Sequence, residues 1–268
     1  MIQRFIKMHG AGNDYIFINC LASGQELSEP DTIAKILSRR HFSIGADGVV
    51  FILPSSRAHA RMRIFNSDGS EGATCGNALR CVAKLLYESA NPKKSHVKIE
   101  TESGIRDIFI TVTDGKVGAI TVDMGIAEPR DTYLLNVKGE KHSMREIFIG
   151  NRHQVTFVPD VDSASINEIG NRCEFSRGND GINTEFCEMI SKNHLRVRTF
   201  ERGSGETLAC GSGACASAVA SILIGHSDYN VPIRVSMRGG DLFVICDREM
   251  RVFLSGNACK AFEGTVEI

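Results

Sequence analysis

Apolar and polar residues alternate with a period of two over much of this chain. Ile108 to Val112, Ile120 to Val122, Leu242 to Cys246 and Val252 to Leu254 are short runs of this kind, each predicting a β-strand with one face toward a core. Gly12-Asn13-Asp-Tyr-Ile-Phe-Ile18 and Gly150-Asn151-Arg-His153-Gln-Val-Thr-Phe-Val158 both read as a polar turn running into a strand. Val97 to Gly104 and Ile233 to Gly240 both read as a strand and a turn. Helical periodicity is rarer. Asp31 to Arg40 predicts a capped amphipathic helix, and Ser163 to Ile169 its counterpart in the second half. After Cys210, residues Ala214, Ala216, Ala218, Val219, Ala220, Ile222 and Leu223 leave few polar positions. A helix apolar on most sides is buried on most sides, and these small residues suit close packing against strands.

The elements come in pairs. Arg61-Met-Arg-Ile-Phe65 leads to Glu71 and Cys75-Gly76-Asn77; Arg196-Val-Arg-Thr-Phe200 leads to Glu206 and Cys210-Gly211-Ser212. Arg, Phe, Glu, Cys and Gly all recur 135 positions later, about half of the 268 residues, and the flanking turns and strands follow at offsets of 136 to 138. A repeat this long is a domain duplication rather than a solenoid array. The expected fold is α+β: two pseudo-symmetric lobes, each a curled, barrel-like β-sheet around a central buried helix, with the active site in the cleft between them. The lobes are expected at residues 1–128, carrying Cys75, and 129–268, carrying Cys210, with a boundary where Met124-Gly-Ile-Ala-Glu-Pro129 breaks the pattern. The last ~10 residues are expected to pack back on the N-terminal lobe.

Composition narrows the function. Hydrophobic residues make up 42%, ordinary for a globular protein, and a net charge of −1 without basic or acidic blocks gives no reason to expect nucleic acid or a membrane surface as partner. Met1-Ile-Gln-Arg-Phe-Ile-Lys lacks the apolar core of a signal peptide, and no apolar run reaches the length of a membrane span. Nine cysteines, an odd number without zinc spacing or a C-x-x-C pair, fit a reduced cytoplasmic setting and no metal. A cysteine taken alone is more often a small buried hydrophobe. The repeat sets Cys75 and Cys210 apart.

Both of these cysteines stand where a buried helix is predicted to begin. A helix N-terminus has unpaired N–H donors and partial positive charge, which favours a thiolate and holds a carboxylate. Gly76 and Gly211 let a ligand approach the backbone. Two pseudo-equivalent thiols could flank one carbon: one thiolate removes an α-proton and the opposite thiol returns a proton to the other face. That is racemase chemistry, and it needs no cofactor. Packing alone would account for two buried cysteines, but not for the doubled Glu-x-x-x-Cys-Gly spacing.

Over essentially its whole length the chain resembles the diaminopimelate epimerase family. The resemblance is carried by Gly10-Ala-Gly-Asn13-Asp-Tyr, Gly45-Ala-Asp47-Gly, Phe65-Asn66-Ser-Asp-Gly-Ser-Glu71, Cys75-Gly-Asn77 and Glu201-Arg202-Gly-Ser-Gly-Glu-Thr-Leu-Ala-Cys210-Gly-Ser-Gly-Ala-Cys215. It implies a cofactor-independent two-base epimerase converting LL- to meso-diaminopimelate, in lysine and peptidoglycan synthesis, and a homodimer. Cys75 and Cys210 become the acid/base thiols. His153 and Glu201 resemble the residues that assist deprotonation of Cys75 and Cys210 respectively. The backbone of Gly76, Asn77, Gly211 and Ser212 would hold the carboxylate beside the reacting carbon. Asn13, Asn66, Asn151, Asn183, Glu201 and Arg202 would recognise the distal amino acid group, where Arg202 can fork onto a carboxylate. Taken singly, an Asn is more often a turn residue, and Arg202 a solvated charge.

The sequence departs from the family at Gly48, where Gln is common, at Arg152 in place of a turn proline, and at Ala78 in place of Gly. Gly48 and Arg152 bear on which substrate fits. The nearest rival reading is a racemase of another amino acid on the same fold. Gly211-Ser-Gly213-Ala-Cys-Ala216 formally fits a dinucleotide-binding G-x-G-x-x-A, but the polar stretch Glu201 to Glu206 before it is no buried strand. A non-catalytic amino-acid-binding protein would leave the paired thiols unexplained.

Overall fold

The computed structural model describes every residue except Met1, Gln25, Glu26, Asn91, Lys138, Arg177, Asn179 and Asp180. The chain forms two compact units, Met1–Val122 with Gly256–Ile268, and Asp123–Ser255.

In the first unit, β1 (Ile2–Gly10) and β2 (Asn13–Asn19) form a hairpin closed by Ala11 and Gly12. Both turn residues are left-handed (φ 53 and 81), as a two-residue hairpin of matching twist requires. The chain crosses through α1 (Pro30–Leu37) to β3 (Gly48–Leu53), parallel to β2. β4 (Ala60–Asn66) returns antiparallel to β3 and also pairs with the short β5 (Glu71–Gly72). α2 (Gly76–Ser89) then crosses to β6 (His96–Thr101), parallel to β4. β7 (Gly104–Thr113) and β8 (Lys116–Ile126) follow as antiparallel neighbours. α2 packs on β1 and also on β6 and β7, strands near opposite ends of this order, so the sheet curls around it. α1 covers the other face: Ala34 and Leu37 pack with Ile16, Ile18, Val49, Phe51 and Phe65. β3 is therefore buried at all six positions, as a strand with both faces covered must be.

The second unit repeats the plan. β9 (Glu128–Val137), β10 (Glu140–Phe148) and β11 (Arg152–Phe157) are antiparallel neighbours. α3 (Ile166–Cys173) leads to β12 (Asn183–Ser191), parallel to β11. β13 (His194–Glu201) runs antiparallel to β12 and pairs with β14 (Gly205–Thr207). α4 (Gly211–Leu223) crosses to β15 (Ile233–Met237), parallel to β13, and β16 (Gly240–Cys246) and β17 (Arg251–Gly256) complete the sheet. α4 touches β10, β11, β12, β13, β15 and β16, the mark of a helix enclosed by its sheet. Gly213 to Ile222 are all buried, and Ser217 and Ser221 survive there by donating to the carbonyls of Gly213 and Ala218. Finally β18 (Cys259–Glu267) returns to the first unit and pairs antiparallel with β1. The α+β class and the curled sheets agree with the sequence reading.

Three local expectations are corrected. The helix expected from Asp31 to Arg40 starts at Pro30 and ends at Leu37, and no side chain caps it: Glu29 stands at the N-cap in the left-handed region, and Pro30 needs no acceptor. The helix expected from Ser163 begins at Ile166, because Asp160 first binds the Asp162 amide and Ser163 binds the Asp160 carbonyl, closing a turn. Met124 to Pro129 does not break the strand pattern but lies in β8 and β9, joined at Ala127.

Gly48 stands where β3 and β4 leave no room for a side chain. A Cβ there would lie 2.2 Å from the Phe65 carbonyl oxygen, a backbone atom that cannot swing aside. Gly48→Ala is therefore expected to destabilise the protein by about 1–3 kcal/mol through forced strand separation, read by denaturant unfolding. Unchanged stability would show that the strands part without cost.

Candidate active site

Cys75 and Cys210 are the N-cap residues of α2 and α4, in the same extended conformation (φ −145 and −121, ψ 117 for both). Neither supplies a side-chain cap bond, so the first-turn amides are not taken up by the cap side chain. None of the nine cysteines is in a disulfide.

In the first unit, the residues around Cys75 form one hydrogen-bonded chain. Asn13 opens β2 directly after the hairpin turn. Its Oδ1 accepts from the Cys75 thiol at 3.5 Å and from Asn77 Nδ2 at 3.1 Å, and its Nδ2 donates to Asp47 Oδ2 at 2.8 Å. Asp47 also accepts the Asp14 amide, and Asp14 is paired with Lys7 at 2.6 Å and Arg40 at 2.5 Å. Burial pushes the Asp14 carboxyl up, but Arg40 and Lys7 outweigh it and hold it below the usual range. Asn77 is fixed from its other side by Arg80, fully buried, whose Nη2 donates to Asn77 Oδ1 at 2.8 Å and whose Nε donates to the Asn257 carbonyl at 3.1 Å. Tyr15, two residues beyond Asn13, is buried beside Cys75; burial and then the neighbouring thiol push its phenol well above 10. Gly76 is buried in the first turn of α2. Asn66 stands exposed at the end of β4, its Nδ2 on Ser70 Oγ at 3.0 Å.

In the second unit, Glu201 ends β13 and is bonded by the Thr207 hydroxyl and approached by the Cys210 thiol. Burial raises its carboxyl above the ordinary value despite these bonds. Ser212 Oγ lies 3.6 Å from the Cys210 sulfur, and Gly211 opens the helix. His153 on β11 and Glu185 on β12 are both fully buried and meet at 2.9 Å. Asn183, opposite His153 in the strand ladder, accepts the Arg202 amide at 2.9 Å, which fixes the start of the loop carrying the exposed Arg202. Asn151 holds its turn by accepting the Arg152 amide.

The structure thus gathers Cys75, Asn13, Gly76 and Asn77 in one unit. In the other it gathers Cys210, Glu201, Gly211, Ser212 and His153, with Asn183 at the start of β12 holding the loop that carries Arg202. Sequence reasoning missed Tyr15, Asp47, Arg80 and Glu185 as parts of these clusters. Tyr15 could have been found from the repeat, since it occupies the place in Gly12-Asn13-x-Tyr15 that His153 holds in Gly150-Asn151-x-His153.

The expected lowering of the thiol pKa fails at Cys210. Burial and the carboxylates of Glu201 and Glu185 push it well above 9, outweighing Ser212 and the helix amide of Gly213. Desolvation of a charge exceeds the partial charge of a helix end. Two of the three departures named above also have local reasons. Gly48 has no room for a side chain. Arg152 reaches away to Glu146 at 3.0 Å.

Solved structures share this fold at low sequence identity. A phenazine biosynthesis protein from Bacillus anthracis matches with a TM-score of 0.76 at 20% identity, over all of both chains. A hydroxyproline epimerase from Agrobacterium vitis matches with a TM-score of 0.72 at 15% identity, over 99% of this chain and 91% of its own. The class is therefore the duplicated α+β fold shared with that phenazine biosynthesis protein and that hydroxyproline epimerase. Within it, the chain belongs to the diaminopimelate epimerase family, whose pattern matches residues 5–129 and 147–260. Relatives named diaminopimelate epimerase include those of Acetivibrio thermocellus, 41% identical over 99% of both chains, and Methanococcus maripaludis, 40% identical over 99% of this chain and 100% of its own.

Removing the carboxylate beside Cys210 should reverse part of its shift. Glu201→Gln is expected to lower the Cys210 pKa, read as the ultraviolet thiolate absorbance lost on Cys210→Ser in each background across a pH titration. An unchanged or higher midpoint would show that the carboxylate does not bear on the thiol.

Proposed function

We propose that this chain epimerises LL-diaminopimelate to meso-diaminopimelate without a cofactor, in lysine and peptidoglycan synthesis. The observation that carries the reading is the pair of cysteines capping equivalent enclosed helices in a chain of this family. Cys75 and Cys210 act on one α-carbon from opposite faces. One thiolate takes the α-proton, leaving the electron pair delocalised into the adjoining carboxylate. The other thiol then donates its proton to the opposite face, and the two sulfurs exchange states. Amides of Gly76, Asn77, Gly211 and Ser212 hold that carboxylate and stabilise the charge developing on it.

Cys210 suits the proton-donor half of a turnover, since its surroundings keep the thiol protonated. Glu201, already bonded to it, receives its proton in the reverse direction; His153 serves Cys75, as the resemblance implies. Asn13 joins the Cys75 thiol to Asn77, so its role includes aligning the sulfur as well as reading substrate. Asn66, Asn151, Asn183, Glu201 and Arg202 bind the distal amino acid group. Among the described residues no helix is long and apolar enough to cross a membrane. The reading includes a small-molecule partner, no nucleic acid, a cytoplasmic setting and a homodimer, the last two from cysteine usage and family likeness respectively.

In D₂O the reduced protein is expected to place deuterium at an α-carbon of diaminopimelate without added pyridoxal phosphate, measured by mass spectrometry. Cys75→Ala and Cys210→Ala should each abolish turnover, whereas Cys20→Ala should retain it. A substrate panel with lysine, glutamate and histidine beside the diaminopimelate isomers separates this reading from a racemase of another amino acid: turnover of one of those and none of diaminopimelate would sink it.

A further inference from the structure

Glu185 carries no role in the mechanism above, yet it is the most enclosed carboxylate near the site. It lies two residues beyond Asn183 on β12, and Asn183 pairs across the parallel ladder with His153, so Glu185 and His153 point to the same face of the sheet. Both are 0% exposed. Glu185 Oε1 is 2.9 Å from His153 Nδ1. The same oxygen lies against the first turn of α4: a Cβ on Gly213 would come within 2.6 Å of it and within 3.2 Å of the Cys210 Cβ. Only a residue without a side chain leaves this space, and the positive end of α4 offsets the buried negative charge.

The other atoms of the pair complete the argument. Among the described residues, His153 Nε2 has no hydrogen-bond partner although it is buried. A neutral imidazole has a single N–H, and a carboxylate can only accept. With the imidazole neutral and Glu185 ionised, the proton sits on Nδ1 and Nε2 keeps its lone pair. The pair is also absent from the duplicated unit: the positions equivalent to His153 and Glu185 hold Tyr15 and Val50, each in the same strand register. The fold is built without it once already, so it is not a requirement of the scaffold.

We infer that Glu185 is a positioning residue for the proposed epimerisation: it accepts the Nδ1–H of His153 and so keeps Nε2 ready to take a proton from a thiol. This rests on the reading of His153 given above. The titratable groups that bear on His153 are Glu185 from β12 and Glu201 from β13, and both carboxylates act in turn on Cys210 at the start of α4. Replacing Glu185 by an amide removes a charge that raises the Glu201 carboxyl, so the acidic limb of the rate profile moves to lower pH.

The test combines a tautomer measurement with kinetics. Nitrogen-15 NMR of histidine-labelled wild-type protein is expected to show His153 protonated at Nδ1 and bare at Nε2. Glu185→Gln should lower kcat at least about ten-fold and by up to ~10⁴-fold, the loss known for amidating the carboxylate of a serine-protease triad. KM should stay nearly constant, and Glu185→Asp should recover part of kcat. A His153 protonated at Nε2 in active wild-type enzyme overturns the role, as does a Glu185→Gln enzyme with wild-type kcat and an unmoved acidic limb. If the Gln variant fails to fold, the wild-type spectrum and the Asp variant decide. Failure of wild-type protein to deuterate any amino acid sinks the epimerase reading itself, and the NMR result tells that failure apart from a wrong assignment of Glu185.

Discussion

A helix whose first turns are buried leaves its first amides open only at its own N-terminus, and in this protein that constraint organises everything near the chemistry. α2 and α4 are each wrapped by a curled sheet, and each begins at a cysteine whose side chain does not cap it. An aliphatic cap would leave buried donors without recompense, and an Asp or Ser would occupy them permanently. A thiol does neither. It leaves the amides open, and in the proposed reaction these hold a carboxylate beside an exchangeable proton. The buried, uncapped first turn is what the proposed reaction uses to hold a carboxylate.

The two units resolve this constraint with different polar surroundings. Around Cys75 the partners are mostly neutral amides, Asn13 and Asn77, held in place by charges one bond further out: Asp47 on one side and Arg80 on the other. Around Cys210 the charges are close, with Glu201 and Glu185 both raising the thiol. Identical strand pairing therefore carries unlike electrostatics. A reaction that interconverts two mirror-related centres needs similar geometry on both faces, but it does not need equal proton affinities, provided each thiol has a group nearby to exchange protons with.

Much of this was legible in the sequence because it is local. Cys75 and Cys210 precede their helices by one residue, so N-cap placement followed from the apolar pattern alone, and the 135-residue repeat paired the elements correctly. What was not legible depends on strands meeting across the sheet. Arg80 reads as an ordinary helix arginine; it donates to Gly76 and Asn77 on its own helix, and the return of the chain at Asn257 brings it a further acceptor. Glu185 reads as a polar interruption in a strand, and only the parallel pairing of β11 with β12 brings it to His153. The direction of the Cys210 shift failed for the same reason: the helix end is a local feature, while burial and both carboxylates come from elsewhere in the unit. Gly48, read as bearing on which substrate fits, also stands where a Cβ would press on the Phe65 carbonyl, a contact set by the pairing of β3 with β4.

The pairing of β18 with β1 has a bearing on how the protein is made. The first unit needs residues 256–268, while the second is built from the unbroken stretch 123–255. During synthesis, the second unit has all its strands before the first does. Until residues 259–267 emerge, β1 presents an open edge, and Arg80 lacks the Asn257 carbonyl that it meets in the finished fold. The usual order, with the N-terminal domain completed first, is thus reversed here. The hydrogen-bonded cluster around Cys75 is completed late, and an open β1 edge in the nascent chain is the place where mispairing with a second chain would begin.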